Sequence, residues 1–384
     1  VSGRRGWLLA LLALAGGLAY LDNLLWAFVL IYSAVLVALL AAAWSWWCAR
    51  HLRLVRETSE GGRIAGEQLV ERFTLENRSG LPIRLVEVRD LSRLPGAGAT
   101  RVLSLAPRQI VTWDSSRRLN SRGRYELGPT ELRLADPFGL FPRRLTLPGA
   151  KSLVVYPSLV SVPCRSLPAA PLGPPIERPA VRATAGPQRL RPVPRARTHP
   201  QPPGPTGLAA SDLLILLDLC QASHHADGPD SSLDYAVTVA ASVAHAAAGH
   251  RRAVALASSD GRLSRIPAGR GDLQDRALLD YLATARCDGS IPFSELVERE
   301  MPGWRGRGGV VLITPDDGQE WVAAVATASA PGNRSLGIFI DPSGFMARPA
   351  TKLRAQWRLV MDLWVVQRGD DLSRLDALHG RAVV

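Results

Sequence analysis

Between Arg5 and Arg50 the chain carries one formally charged side chain, Asp22. About forty residues with so little charge cannot form a solvated surface; they must be covered by protein or by lipid. The run divides at Asp22-Asn23. Its second part, Leu24 to Trp47, has 24 residues, which at about 1.5 Å per residue reach about 36 Å and cross a hydrocarbon core of about 30 Å. The first part, Trp7 to Leu21, has 15 residues. That length suits a tight helical hairpin with some bilayer thinning, and it also suits the apolar region of a signal peptide. A second apolar run follows at once, so the reading is a membrane hairpin over residues 1–51 with helices at about 7–21 and 24–47; a buried helical pair in a soluble core is the alternative. Trp44, Trp46 and Trp47 crowd the end of the second run, where indole rings favour the headgroup boundary. Arg4 and Arg5 precede the hairpin and Arg50, Arg53 and Arg56 follow it. The positive-inside rule then predicts two spans in the cell (inner) membrane, with both termini cytoplasmic and the lipid bilayer as the first partner.

The remaining composition separates the other segments. With 384 residues there is room for two or three domains, and 47% hydrophobic against 21% charged residues excludes global disorder. The net charge of +12 is almost all arginine, Lys151 and Lys352 being the only lysines. A body tethered beside an anionic leaflet accounts for basic residues, and no aromatic-interleaved basic stripe or recognition helix points to nucleic acid. Cys48, Cys164, Cys220 and Cys287 lie dozens of residues apart, which excludes a zinc knuckle and reads as free thiols.

From residue 52 to 160 short alternating runs, such as Arg72 to Glu76 and Val86 to Arg89, are separated by turn signals such as Asn77-Arg78-Ser79-Gly80. This predicts a β-rich domain of sandwich type. Residues 161–210 form a Pro/Arg-rich linker: positions 163 to 205 hold 13 of the 29 prolines and seven arginines against the single acid Glu177. Such a chain is extended and packs no core. Residues 211–384 alternate apolar strands with helical patterns. Leu213 to Leu217 is a strand buried on both faces, followed by Asp218; a helix over Leu233 to Ala248 comes next, capped by Ser231 or Ser232. Further strands at 253–257, 310–313, 336–340 and 364–366 alternate with helices at 272–285, 319–329 and 352–362, and a terminal helix follows. The pattern argues a doubly wound α/β domain.

One stretch carries a family resemblance. Arg122-Gly123-Arg124-Tyr125 leads through Leu127-Gly128-Pro129 to Asp136-Pro137-Phe138-Gly139-Leu140-Phe141, with Val155-Tyr156-Pro157 after it. This resembles the bacterial family called domain of unknown function 58. The resemblance implies a two-helix anchor, a β-domain and a C-terminal domain like von Willebrand factor A, often encoded beside a MoxR-type AAA+ ATPase. The hexapeptide also has a purely structural reading, in which Asp136 bonds its own backbone, Gly139 permits the turn and Phe138, Leu140 and Phe141 bury. The family's Tyr-x-Pro-Gly-Asp and Arg-Ile-His-Trp segments are missing. Residues 188–206 stand there instead, in the Arg/Pro/Ala composition that a shifted reading frame through GC-rich DNA produces.

Residues 208–380 resemble the von Willebrand A fold, whose metal site starts with Asp-x-Ser-x-Ser and later uses a Thr and an Asp. Asp218 matches, whereas Cys220 and Ala222 occupy the serine positions. Ile313-Thr314-Pro315-Asp316-Asp317-Gly318 looks like the fold's Ile-Thr-Asp-Gly ending with one extra residue, and no middle threonine is evident. The candidate metal ligands are therefore Asp218 and Asp316, with Asp317 the alternative for the later carboxylate, and Mg²⁺ the candidate ion. A thiol and a methyl in place of two hydroxyls remove hard donors, so the competing reading has Asp218 orienting its loop and Asp316 or Asp317 capping the next helix. His224 and His225 are adjacent and read as solvated loop residues. No Walker loop, GxSxG elbow or HExxH helix is present, and Cys220 beside an apolar strand reads as inert. The expectation is a non-enzymatic interaction protein whose partner-binding edge is formed by Asp218, Thr314, Asp316 and Asp317. Its rivals are an outward-facing metal-dependent adhesion module and a cryptic hydrolase.

Overall fold

The computed structural model describes residues 25–58, 61–94, 100–147, 151–168, 212–225, 230–329, 334–345 and 357–370, together with six single positions before residue 25. The chain divides into two compact units, Val1–Tyr156 and Pro157–Val384. Most of the expected first helix, the body of the Pro/Arg linker and the expected terminal helix lie outside the described residues.

In the first unit, helix α1 (Leu25–His51) is the apolar run made visible. Its stretch Phe28–His51 is long and apolar enough to cross a membrane, and only 11% of its most apolar window is buried. The exception to that exposure is one helical face: Ala41, Ser45 and Cys48 are buried, spaced i, i+4, i+7 as a single stripe requires. Trp44 and Ala49 join them against the β-core. The helix therefore continues past Trp47, and its last turns belong to the β-domain's packing.

Among the described residues of the unit ten strands follow: β1 (Leu52–Thr58), β2 (Arg63–Ile64), β3 (Gln68–Asn77), β4 (Ile83–Asp90), β5 (Thr100–Leu105), β6 (Ile110–Arg118), β7 (Gly123–Leu127), β8 (Thr130–Leu134), β9 (Arg143–Leu147) and β10 (Lys151–Tyr156). They form three sheets in the orders β1-β3-β6, β2-β10-β7 and β5-β4-β8-β9, antiparallel throughout except for the short β2–β10 pair. Alternation along β3 sends Leu69, Phe73 and Leu75 inward, and Phe73 stacks on its cross-strand partner Trp113 at 5.4 Å. The same inward side also carries Glu71, which the core could not accept without a countercharge. Arg56 supplies it, donating to both Glu71 oxygens at 2.9 Å and reaching Asp90 at 3.0 Å, while Arg117 reaches Asp90 at 2.8 Å.

The Asp136 to Phe141 turn follows the structural reading in its backbone, while Leu140 and Phe141, expected to bury, are only half-buried. Asp136 is buried; its Oδ1 accepts from the Phe138 amide at 3.0 Å and its Oδ2 from the Phe141 amide at 2.6 Å. Gly139 takes a positive φ of 68°, which a side chain would strain. Phe138, expected to bury, is 58% exposed. It lines a groove shared with Leu30, Ser33, Ala34 and Val37 of α1.

The second unit is built on six strands: β11 (Asp212–Leu217), β12 (Val254–Ser258), β13 (Arg265–Gly269), β14 (Gly308–Thr314), β15 (Ser335–Ile340) and β16 (Asp362–Val366), in the order β13-β12-β11-β14-β15-β16. All neighbours are parallel apart from the antiparallel edge strand β13. Helices α2 (Ser232–Gly249) and α3 (Asp272–Thr284) pack together on one face; α4 (Phe293–Glu300) and α5 (Glu320–Ala328) pack together on the other. Leu214, Leu216, Ala255, Ala257, Val310 and Leu312 meet the second pair across a core that includes Phe293, Trp321, Phe339 and Trp357. Those rings pack edge to face at 5.0–5.9 Å. Residues 352–356 of the expected helix over 352–362 lie outside the described residues, and its end overruns, because Asp362 already pairs with Leu336 in β16. β13 and α4 were not anticipated.

Candidate functional site

The sheet order places a topological switch point at the carboxyl ends of β11 and β14. From central β11 the chain first goes to β12 on one side and later returns to β14 on the other, so the loops leaving the two strands part and open a crevice. The candidate acids stand there. Asp218 follows β11 directly and Thr314 ends β14.

Asp218 is fully buried, and its carboxylate is closed by protein donors. Oδ2 accepts from the Thr314 hydroxyl at 2.7 Å; Oδ1 accepts from the Ser259 hydroxyl at 3.1 Å and from the Cys220 amide at 2.9 Å. Each hydroxyl has a fixed direction. Thr314 Oγ1 accepts from the Asp316 amide at 2.9 Å and Ser259 Oγ from the Leu219 amide at 2.8 Å, so the single proton of each is committed to Asp218. The result ties the loops after β11, β12 and β14 to one carboxylate. Asp218 and Thr314, expected on the surface of the edge, are 0% and 1% exposed. They are internal struts of the edge. Ser259 is not singled out by the motif, which calls for a threonine; its signal in the sequence is Ser258-Ser259 at the end of an apolar run.

Asp316 is half-buried one turn away. Its Oδ1 accepts from the Gly318 amide at 2.8 Å and its carbonyl from the Trp321 indole at 3.1 Å. It does not cap the next helix as expected: the N-cap of α5 is Gln319, which makes no side-chain cap bond. Burial pushes the Asp316 carboxyl up, reinforced by Asp218, Asp317 and Glu320 and opposed by the Gly318 bond. With Asp317 half-exposed and Asp288 and Glu320 exposed, the rim of the crevice is acidic on a chain of net charge +12.

The β11 loop is held down at three points. Gly289 pairs with Cys220 in an isolated bridge, and a Cβ there would lie 1.7 Å from the Ser259 carbonyl oxygen, so only glycine permits the approach. His224, expected to be solvated, is half-buried: its Nε2 donates to the Asp218 carbonyl at 2.8 Å and its Nδ1 lies 3.1 Å from Ser232 Oγ. The Ser232 hydroxyl also takes the His225 amide at 2.8 Å, fastening the loop to the start of α2. Cys220 is buried, and the Cys287 thiol 3.5 Å from its carbonyl is pushed up to about 11 by burial and by the nearby Asp218, Cys220 and Asp288. A thiol held protonated is a poor nucleophile.

As an ion site the arrangement lacks donors. Magnesium takes near-octahedral oxygen ligands, but three lone-pair directions of Asp218 already go to protein donors, Cys220 brings sulfur and Ala222 a methyl. Among the described residues no group of three or more His, Cys, Asp or Glu side chains is placed to hold a metal.

No family profile matches the chain, and no curated protein matches it. Among solved structures, a complex of zinc 2-glycoprotein (ZAG) and prolactin inducible protein from human seminal plasma shares 11% identity over 27% of this chain and 92% of that one, at a TM-score of 0.22. A CARDB domain from Pyrococcus furiosus shares 13% identity over 27% and 86%, at 0.21, and the C-terminal domain of wzt shares 10% over 28% and 75%, at 0.22. Likenesses of this size carry no argument about fold or function.

Proposed function

We propose that the chain is a membrane-anchored, non-enzymatic interaction protein of the domain of unknown function 58 type. Its von Willebrand A-like unit presents the acidic rim of the switch-point crevice to a basic surface on a protein partner. A MoxR-type AAA+ ATPase is the partner the family resemblance implies. The hairpin would hold the chain in the inner membrane with both termini cytoplasmic. The carrying observation is the Asp218 lock: a buried carboxylate spends all its bonds on fixing three loops, and the loop after β14 displays Asp316 and Asp317, beside Glu320 at the start of α5 and Asp288 on the connection from α3 to α4. Fixed loops at a sheet's carboxyl edge suit recognition, because the ordering cost is met before the partner arrives. The buried Cys220 and protonated Cys287 favour this reading over a cysteine hydrolase.

The test is retention of the detergent-solubilised full chain on an immobilised MoxR-type ATPase, with and without nucleotide. Retention that weakens with salt and is lost in an Asp316→Lys/Asp317→Lys variant is expected. No retention in either nucleotide state overturns the partner assignment. A reporter fused after Val384 that is active only outside the cytoplasm overturns the sidedness.

A further inference from the structure

The loop that carries the Asp136 to Phe141 motif leaves an apolar groove beside α1. The groove has a volume of about 480 Å³ and is lined by Leu30, Ser33, Ala34, Val37, Phe138 and Leu140. Three observations bear on what fills it. First, the loop is anchored to the helix by the Ser45 hydroxyl, which donates to the Phe141 carbonyl at 2.7 Å. Val37 lies eight residues up the helix from Ser45, about 12 Å along the axis, so the groove sits on the side where α1 loses its contact with the β-domain. Second, the loop is prepared to leave water. The amides of Phe138, Gly139 and Phe141 are all satisfied within the loop by Asp136, through its side chain or its carbonyl, as polar backbone at a hydrocarbon boundary requires. Third, Pro142-Arg143-Arg144 follows at once, and both arginines are exposed at the start of β9, a strand that touches α1. Arg144 is 68% exposed and meets Glu131 only at 3.9 Å.

We propose that this groove is a binding site for an anionic phospholipid, with an acyl chain lying along α1 between Leu30, Val37, Phe138 and Leu140 and the headgroup met by Arg143 and Arg144. The proposal rests on the membrane reading of α1. An exposed phenylalanine beside an exposed apolar helix face marks a surface that an apolar partner covers, and beside a membrane helix that partner is hydrocarbon. Two arginines one strand-start away supply the charge that an anionic headgroup complements. The motif is then a wedge that seats the β-domain on the bilayer at a set height, with Asp136 holding the wedge's shape from inside the protein.

The experiment is photocross-linking of the full chain reconstituted in vesicles, of phosphatidylcholine alone or mixed with phosphatidylglycerol. Benzoylphenylalanine replaces Phe138, Leu36 on the exposed helix face, or Ile110 on an exposed strand of the β-domain. Lipid adducts at positions 138 and 36 but not 110 are expected. Phosphatidylglycerol should be enriched about tenfold at 138, and an Arg143→Gln/Arg144→Gln variant should abolish the enrichment. Adducts at 138 without that preference overturn the headgroup assignment. A cross-link from 138 to the chain's own first apolar run, or to a second copy, overturns lipid as the occupant. Adducts at 36 but none at 138 overturn the wedge and leave the anchor standing; none at either position removes the membrane reading itself.

Discussion

Both units bury carboxylates and, the amide-bonded Asp136 of the β8–β9 loop aside, they neutralise them by different means. In the β-unit Glu71 and Asp90 are held by the guanidinium groups of Arg56 and Arg117, with Ser92 and Thr130 completing the cluster. In the α/β unit Asp218 is held by two hydroxyls and an amide, and no cation is among its described hydrogen-bond partners. The difference follows from geometry. The arginine stem is long enough to cross between sheets, so Arg56 links β1 and β3 to β4, which belongs to another sheet. At the switch point the strands are adjacent and backbone amides converge, and short side chains suffice. Opposite charges in a core are strong only as a complete set, whereas a hydroxyl lock loses one bond at a time.

The largest expected effect breaks the charged set. Arg56→Met leaves Glu71 without its bidentate partner and should cost about 3–5 kcal/mol, read as faster amide hydrogen exchange in β1, β3 and β4 with β11 and β14 unchanged. Adding Glu71→Leu should recover part of that loss, because Asp90 keeps Arg117; no recovery would show that Arg56 acts by packing. In the other unit Thr314→Val leaves Asp218 Oδ2 and the Asp316 amide without their bonds and should cost about 1–3 kcal/mol, confined to the β11 and β14 strands by the same measurement. If it costs more than Arg56→Met, the contrast between the two solutions is wrong.

The smallest effect is in pH, where the units should respond in opposite directions. Burial alone would raise Asp90, but the bonds from Ser92 and the charges of Arg56 and Arg117 bring it below its ordinary value. Its contribution is therefore present above the ordinary carboxylate value of about 3.9 and fades as pH falls below it. Asp316 is raised, so between about 3.9 and its higher folded value the folded state holds a proton that the unfolded chain releases. Stability from that group then declines as pH rises through this window. Exchange of β4 and of the segment after β14, followed across acid pH, should show the two slopes; parallel slopes would sink the assignment.

Much of this was legible in one dimension. The strand Leu213 to Leu217 announced itself as a continuous apolar run, and the helix after it by Ser231, whose hydroxyl accepts from the Asp234 amide. β13 was not legible because Pro267 and two glycines flanking its reach read as loop; an edge strand tolerates them, since one of its sides needs no ladder. α4 is eight mostly polar residues, held by Phe293, Leu296 and Val297 against a core assembled from distant segments.

Chain order alone determined where charge is absent, which runs alternate and which are apolar throughout, because these are local properties that water and backbone periodicity act on directly. Only the tertiary structure decided that Ser259 and Thr314 spend their protons on Asp218, that Arg56 spans two sheets, and that Phe138 stands exposed against a helix. Each joins residues tens of positions apart, and a carboxylate's neighbours, unlike its charge, exist only once strands have been placed side by side.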